Sequence, residues 1–179
     1  VRDGDRHGRW DPCGGPITYQ IDLSLGTPDE LAAIHGALAA AADATGFEFK
    51  FMGESTDDVA DPGVDAIIGY RDFPGDSTLG EGGAYVTPDL ELYDGFAFIE
   101  AGLPTTENRH VLLHEIAHLL GLDHVEDEAQ VMFSFVGDTL FPDYQDGDRE
   151  GLRLVGATME CFPASAAIER APQLVTWSD

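Results

Sequence analysis

The residues His114, Glu115 and His118 form the pattern His-Glu-x-x-His. Residues four positions apart lie on the same face of an α-helix, so the two imidazoles can bind one metal ion. Glu115 lies at the edge of that face, where a carboxylate can act as general base on a metal-activated water without being a ligand. The spacing therefore predicts a hydrolytic metal site. The alternative is a polar helix face on which the three residues meet by chance.

Gly121 and His124 extend this pattern beyond the helix. Gly121 falls two turns after His114, where glycine can adopt the left-handed conformation that ends a helix. The chain can then turn and bring His124 back to the metal, with Asp123 as the neighbouring alternative. Three neutral imidazoles with one open position are typical of catalytic zinc, since structural zinc sites fill all four positions with protein ligands.

Composition limits the classes of partner. The chain has 179 residues with 43% hydrophobic content, which suits one globular domain, and it carries 34 acidic against 9 basic residues, a formal net charge of -25. So acidic a surface repels phosphate backbones, and no apolar run reaches the length of a membrane span. We therefore expect a monomer that binds neither nucleic acid nor membrane. The acidic surface serves solubility, or attracts basic peptides or calcium.

Two cysteines, Cys13 and Cys161, lie near the two ends of the candidate domain. A disulfide between them would close a loop of nearly the whole fold, contributing on the order of 4 to 5 kcal/mol, and would indicate an oxidising compartment. The alternative interpretation is that Cys13 is a free thiolate that occupies the metal and holds the protein latent.

The flanking elements are predicted from periodicity and capping residues. A threonine cap at Thr27, proline at the next position and glutamate at position 30 predict a helix over about 28–45. A second helix, over about 108–120 and capped by Thr105 or Thr106, carries the two histidines and is apolar on most sides, as a buried helix would be. Strands are predicted at 17–23, 47–51 and 64–70. This order implies a mixed sheet with the first helix on one face.

A short strand is predicted at 82–86, at the end of a Gly- and Asp-rich loop over 71–83. Small residues in this edge strand let a second backbone approach, so an extended substrate can add near Ala84, Tyr85 and Val86 by main-chain hydrogen bonds. The alternative is that the glycines only form a bulge. In the loop, the carboxylates of residues 72, 76 and 81 serve either calcium binding or turns.

Three segments resemble the metzincin metallopeptidases, most closely their matrixin-like branch: HEIAHLLGLDH, the VMFS segment around Met132, and YQDGDREGL at 144–152. The resemblance implies one catalytic zinc held by His114, His118 and His124 and Glu115 as general base. It also implies Met132 as a hydrophobic base below the ligands, and a specificity-pocket wall after it, at Ser134 and Phe135.

The resemblance also implies an α+β fold: a twisted, mostly parallel sheet with an antiparallel edge strand, the two long helices, and a C-terminal helix over about 147–160. We divide the chain into a leader (1–16), a catalytic domain (17–162) and a C-terminal tail or linker (163–179). The structural zinc site of matrixins is not carried over, because no histidine lies between His35 and His110.

The sequence thus predicts a secreted, extracellular zinc endopeptidase acting on polypeptides, with calcium as an open second cofactor. The alternative is a noncatalytic zinc-containing binding domain with the same fold. The presence of Glu115 argues against that alternative, because a pure binding domain needs no base beside its metal.

Overall fold

The structure, a computed structural model, describes all atoms of residues 8–74 and 78–162 and the backbone of residues 2–3, 6–7 and 173–178. In chain order its elements are β1 (Arg2–Asp3), β2 (Arg6–His7), β3 (Ile17–Asp22), α1 (Pro28–Thr45), β4 (Phe49–Ser55), β5 (Ala66–Arg71), β6 (Gly80–Val86), β7 (Leu92–Glu100), α2 (Thr105–Leu119), α3 (Asp146–Val155) and β8 (Gln173–Ser178). The predicted combination of a mixed sheet with two long helices and a shorter C-terminal one is confirmed.

One mixed sheet with the strand order β4-β3-β5-β7-β6-β8 organises the fold. Strands β4, β3, β5 and β7 run parallel, and β6 is antiparallel to β7, as predicted for the edge strand. On the other side of β6, β8 pairs with it antiparallel. The C-terminal tail therefore adds a strand beyond the predicted edge.

The helix α2 lies at the centre of the domain. It packs against β6 and β7 on one side and against α1 on the other, while α1 also contacts α3. Its side chains from Val111 to Leu119 are all buried. The predicted buried helix is confirmed, and none of the helices among the described residues is long and apolar enough to cross a membrane.

The ends of α1 follow their capping residues. The Thr27 hydroxyl accepts a hydrogen bond from the Glu30 N–H (3.3 Å), and the Glu30 carboxylate accepts one from the Thr27 N–H (2.7 Å). Gly46, with φ of 76°, ends the helix in the left-handed conformation. The prediction of a helix over 28–45 is confirmed. These boundaries can be predicted because they depend on local capping groups alone.

Each of the other two helices has one predicted boundary that is wrong, while the other boundary, near residue 120 in α2 and near residue 147 in α3, is confirmed. Helix α2 begins at Thr105, because the Pro104 carbonyl already accepts from the Asn108 N–H (2.8 Å), so both threonines lie inside the helix. Helix α3 ends at Val155 rather than near residue 160. Gly156 is extended there, and the next N–H donates to the carbonyl at the C-terminal end of α1 (2.8 Å).

The predicted leader (1–16) packs onto the domain through Trp10 and Cys13. Trp10 is buried, and its indole N–H donates to the Leu119 carbonyl at the end of α2 (3.0 Å). Cys13 and Cys161 form a disulfide, with their Cα atoms 5.5 Å apart. Cys13 is therefore paired with Cys161 rather than held as a thiolate on the metal.

Candidate metal centre and active site

Three imidazoles converge at the C-terminal end of α2. The Nε2 atom of His118 lies 2.9 Å from that of His114 and 3.1 Å from that of His124. The first two are one helical turn apart, and His124 returns through Gly121, whose φ of 101° is the predicted left-handed conformation. We call these three residues the histidine cluster; their ligand atoms all lie within 4.8 Å of one another.

Backbone carbonyls orient two of these rings. The Nδ1 atom of His114 lies 2.7 Å from the Val131 carbonyl oxygen, and that of His118 lies 2.9 Å from the Leu122 oxygen. A carbonyl only accepts hydrogen bonds, so each neutral ring carries its proton on Nδ1 and presents a lone pair at Nε2. The tautomers are thus those of metal-ligating histidines.

These lone pairs fit a zinc ion. Two unprotonated nitrogens 2.9 Å apart repel each other unless a cation lies between them. Zinc bound to imidazole at 2.0 to 2.1 Å with tetrahedral geometry brings ligand atoms to roughly 3.4 Å of one another, close to the observed spacing. Three histidines leave a fourth position for water or substrate.

Glu115 lies where α2 meets the strand β6. Its side chain is fully buried, and it faces two glycines of the strand. A Cβ atom on Gly80 would lie 2.7 Å from the Glu115 carboxyl carbon, and one on Gly82 would lie 2.8 Å from an oxygen of the same carboxylate. The Glu115 carboxylate therefore occupies the space that the Cβ atom of any residue other than glycine would fill at positions 80 and 82.

A cavity of about 240 Å³ opens beside the carboxylate and the first histidine. Its walls are formed by Leu79, Val111, His114, Glu115, Ser134, Phe135 and Val136. Ser134 and Phe135, which the resemblance implies as a pocket wall after Met132, line this cavity. Its lining is mostly apolar, apart from the His114 imidazole, the Glu115 carboxylate and the Ser134 hydroxyl.

Met132 lies in a turn that is held from both sides. The carboxylate of Asp148, on α3, accepts hydrogen bonds from the N–H groups of Val131 (2.9 Å) and Met132 (3.1 Å). The Met132 side chain is completely buried, and its carbonyl accepts from the Val125 N–H (2.9 Å). Because the Val131 carbonyl orients His114, the chain of contacts runs from α3 through the turn to a candidate metal ligand.

Two polar side chains close to the site along the chain, His110 and Tyr144, make structural hydrogen bonds. The buried Nδ1 of His110 accepts from the Phe141 N–H (3.1 Å), and burial lowers the pKa of this ring. The hydroxyl of Tyr144 donates to the Leu113 carbonyl (2.8 Å), and complete burial raises its pKa. Tyr144 is thereby fixed to the backbone of α2 as an anchor of the segment before α3.

The predicted cleft residues of β6 do not line the 240 Å³ cavity. Ala84 and Val86 are buried, and Tyr85 lies beside Tyr93, with ring centroids 5.8 Å apart. All three are paired with β8. They belong to a strand edge to which a further strand can pair, and in this structure the paired strand is β8 of the same chain.

The predicted calcium ligands are not brought together. Glu81 lies 3.9 Å from the guanidinium of Arg71, and within the described ranges Glu81 and Asp72 join no cluster of potential metal ligands. Asp76 lies outside the described residues.

The sequence predictions missed three residues of the site: Gly80, Gly82 and Asp148. The predicted loop over 71–83 ends at Leu79, and the two glycines alternate on one face of β6. Their period of two was the available signal. Nothing in the sequence pattern distinguishes the buried Asp148 from its exposed neighbour Asp146.

This geometry defines a metallopeptidase-like domain: a central helix with the His-Glu-x-x-His pattern, a third histidine after a glycine turn, and a buried methionine next to the carbonyl that orients the first histidine. The family model for matrixins matches residues 9–154. The chain belongs to the matrixin family. No curated protein matches the sequence.

Proposed function

We propose that the chain is a secreted zinc-dependent endopeptidase in which Glu115 is the general base and the histidine cluster holds the zinc. The observation that carries this proposal is the convergence of three imidazole groups next to a buried carboxylate, Glu115, which lines one cavity together with His114. A zinc-binding domain without activity needs the first of these features but not the second.

The chain's own residues supply proton transfer and positioning. Bound zinc would lower the pKa of a water and polarise the scissile carbonyl. Glu115 accepts a proton from the attacking water and then donates it to the leaving amine nitrogen, so the proton taken at the start is returned at the end. The backbone contacts at Val131 and Leu122 keep two ligands in the required tautomer.

The cavity beside Glu115 suggests a substrate preference. Aliphatic and aromatic side chains form most of its lining. Burial of an apolar substrate side chain there therefore stabilises the complex. A charged side chain would lose its hydration without finding an oppositely charged partner in the apolar lining. We expect peptides with leucine next to the scissile bond to be cleaved faster than matched peptides with lysine.

Secretion is part of the proposal. The disulfide between Cys13 and Cys161 is stable in an oxidising compartment and rare in a reducing cytosol. Polypeptides outside the cell are then the class of substrate.

The test compares wild type with Glu115→Gln on an unfolded protein, with zinc content measured on both. We expect Glu115→Gln to keep zinc and to lose hydrolysis by about 10²- to 10⁴-fold. A chelator should abolish wild-type hydrolysis, and added zinc should restore it. Equal hydrolysis by the two proteins would contradict the proposal. Zinc binding without hydrolysis in either would favour the noncatalytic binding domain.

A further inference from the structure

The outer edge of β6 is occupied by a segment of the same chain. Every residue of β8 has a partner on β6, from Gln173 opposite Val86 to Ser178 opposite Glu81. This is the edge at which the sequence predicts that an extended substrate adds. In the structure its pairing positions are taken.

The occupied edge leads to the catalytic carboxylate. Glu81, the partner of Ser178, stands between Gly80 and Gly82, the two glycines that face Glu115. Because β8 is antiparallel to β6, its C-terminal end is the end nearest this carboxylate. A strand on this edge therefore runs toward the reacting groups.

Strand addition is exclusive. Main-chain hydrogen bonds supply much of the binding when an extended peptide adds to a sheet edge, so peptides of different sequence can use the same edge. Each outward N–H and carbonyl of β6 pairs with one strand only. An extended substrate and β8 therefore compete for the same groups.

We propose that β8 is an inhibitory strand that occupies the β6 edge as an extended polypeptide substrate would. The inference rests on the proposed endopeptidase function and adds its regulation. In this state the histidine cluster and Glu115 are assembled, and the substrate edge is closed by the chain's own C-terminal segment.

The test uses two neighbouring proline substitutions in the full chain, Val175→Pro and Thr176→Pro. Successive N–H groups of a strand point to opposite sides, so only one of the two substitutions removes a hydrogen bond to β6, and the other is its matched control. Loss of one such bond should raise kcat/KM for an extended peptide by about fivefold to tenfold in one variant only. A short substrate that does not reach β6 should be unaffected.

A binding measurement separates this inference from the proposed function. In the Glu115→Ala background, fluorescence anisotropy gives the affinity for a labelled extended peptide without hydrolysis. The same single proline variant should bind the peptide about fivefold to tenfold more tightly. Tighter binding without hydrolysis in any active-site-intact variant would remove the proposed endopeptidase function, but it would still show that β8 competes with an extended peptide for the β6 edge.

Three outcomes overturn the inference. Hydrolysis and binding that neither proline changes would show that β8 does not close the edge, while wild-type hydrolysis would leave the endopeptidase function standing. An equal rise in both variants would show that the effect does not come from β6 pairing. A gain for the short substrate equal to that for the extended peptide would show that it arises away from the strand edge.

Discussion

The two sides of the active site are positioned by opposite means. On the side of the proposed ligands, hydrogen bonds orient two of the three rings: their Nδ1 atoms donate to backbone carbonyls, and Asp148 holds the turn that carries one of these carbonyls. On the base side, Glu115 is accommodated because Gly80 and Gly82 have no side chains. The ligand side should therefore fail when atoms are removed, and the base side when atoms are added.

Removal of a ligand should have the largest effect. We expect His124→Ala to lose its zinc and its hydrolysis, because two imidazoles hold zinc far more weakly than three. The matched control is Asp123→Ala, since Asp123 is the neighbouring candidate ligand, and its carboxylate accepts from the His124 N–H (2.8 Å) but does not belong to the histidine cluster. Metal analysis after dialysis would check both. If His124→Ala retained zinc, or Asp123→Ala lost it, the assignment of His124 as the third ligand would be wrong.

Removal of the support behind a ligand should come next. Asp148→Ala leaves three N–H groups without their acceptor, those of residues 131, 132 and 145. We expect a loss of about 3 kcal/mol in the free energy of unfolding and about tenfold weaker zinc binding. Asp146→Ala, exposed in the same helical turn, should change stability by less than about 1 kcal/mol. Denaturant unfolding and zinc titration measure the two quantities, and similar losses in both variants would contradict the supporting role of Asp148.

Addition of one methyl group should break the other side of the comparison. In Gly80→Ala the new Cβ would overlap the Glu115 carboxyl group, so the carboxylate must move. A displacement of about 1 Å in a catalytic group lowers kcat by about 10²-fold. Zinc content should stay at the wild-type level, because the histidine cluster and the two carbonyls that orient its rings lie outside this strand. A fall in zinc content equal to the fall in kcat would show that the two sides are not separate.

A glycine without such a neighbour gives the smallest effect and the opposite sign. Gly36 is exposed in α1, and an added Cβ would come no closer than 3.6 Å to the Arg109 guanidinium. We expect Gly36→Ala to raise the free energy of unfolding by about 0.5 to 1 kcal/mol, with hydrolysis unchanged. Thermal unfolding and peptide kinetics would check this. Destabilisation would mean that glycine is required there for a reason other than space.

The same contrast explains which parts of the site could be predicted from the sequence. The histidine spacing, the glycine that ends α2 and the capping box of α1 are local, so a few neighbouring residues determine them. Gly80 and Glu115 are far apart in the chain, and Glu115 fits against Gly80 only because glycine has no side chain. No periodicity specifies which glycine meets which helix.

The position of β8 was also beyond sequence reasoning. The apolar patch at 174–177 indicates that the tail can pack on the domain, but a follow-on module would show the same patch. Its pairing with β6 depends on where the end of α3 lies in the folded chain. The early end of α3 at Val155, set by contact with α1, could not be predicted from the pattern of α3 itself.

The disulfide bears on how strongly β8 competes with substrate. Residues 162–172 join Cys161 to β8, and a short tether gives an attached segment an effective concentration on the order of millimolar. Without the disulfide, the last fixed point before this tether would lie no further back than Ala157, whose N–H donates to the Thr45 carbonyl, so the tether lengthens by less than a factor of two. The closure entropy then changes by less than about 0.6 kcal/mol, so the occupancy of the β6 edge should be nearly the same in oxidising and reducing surroundings.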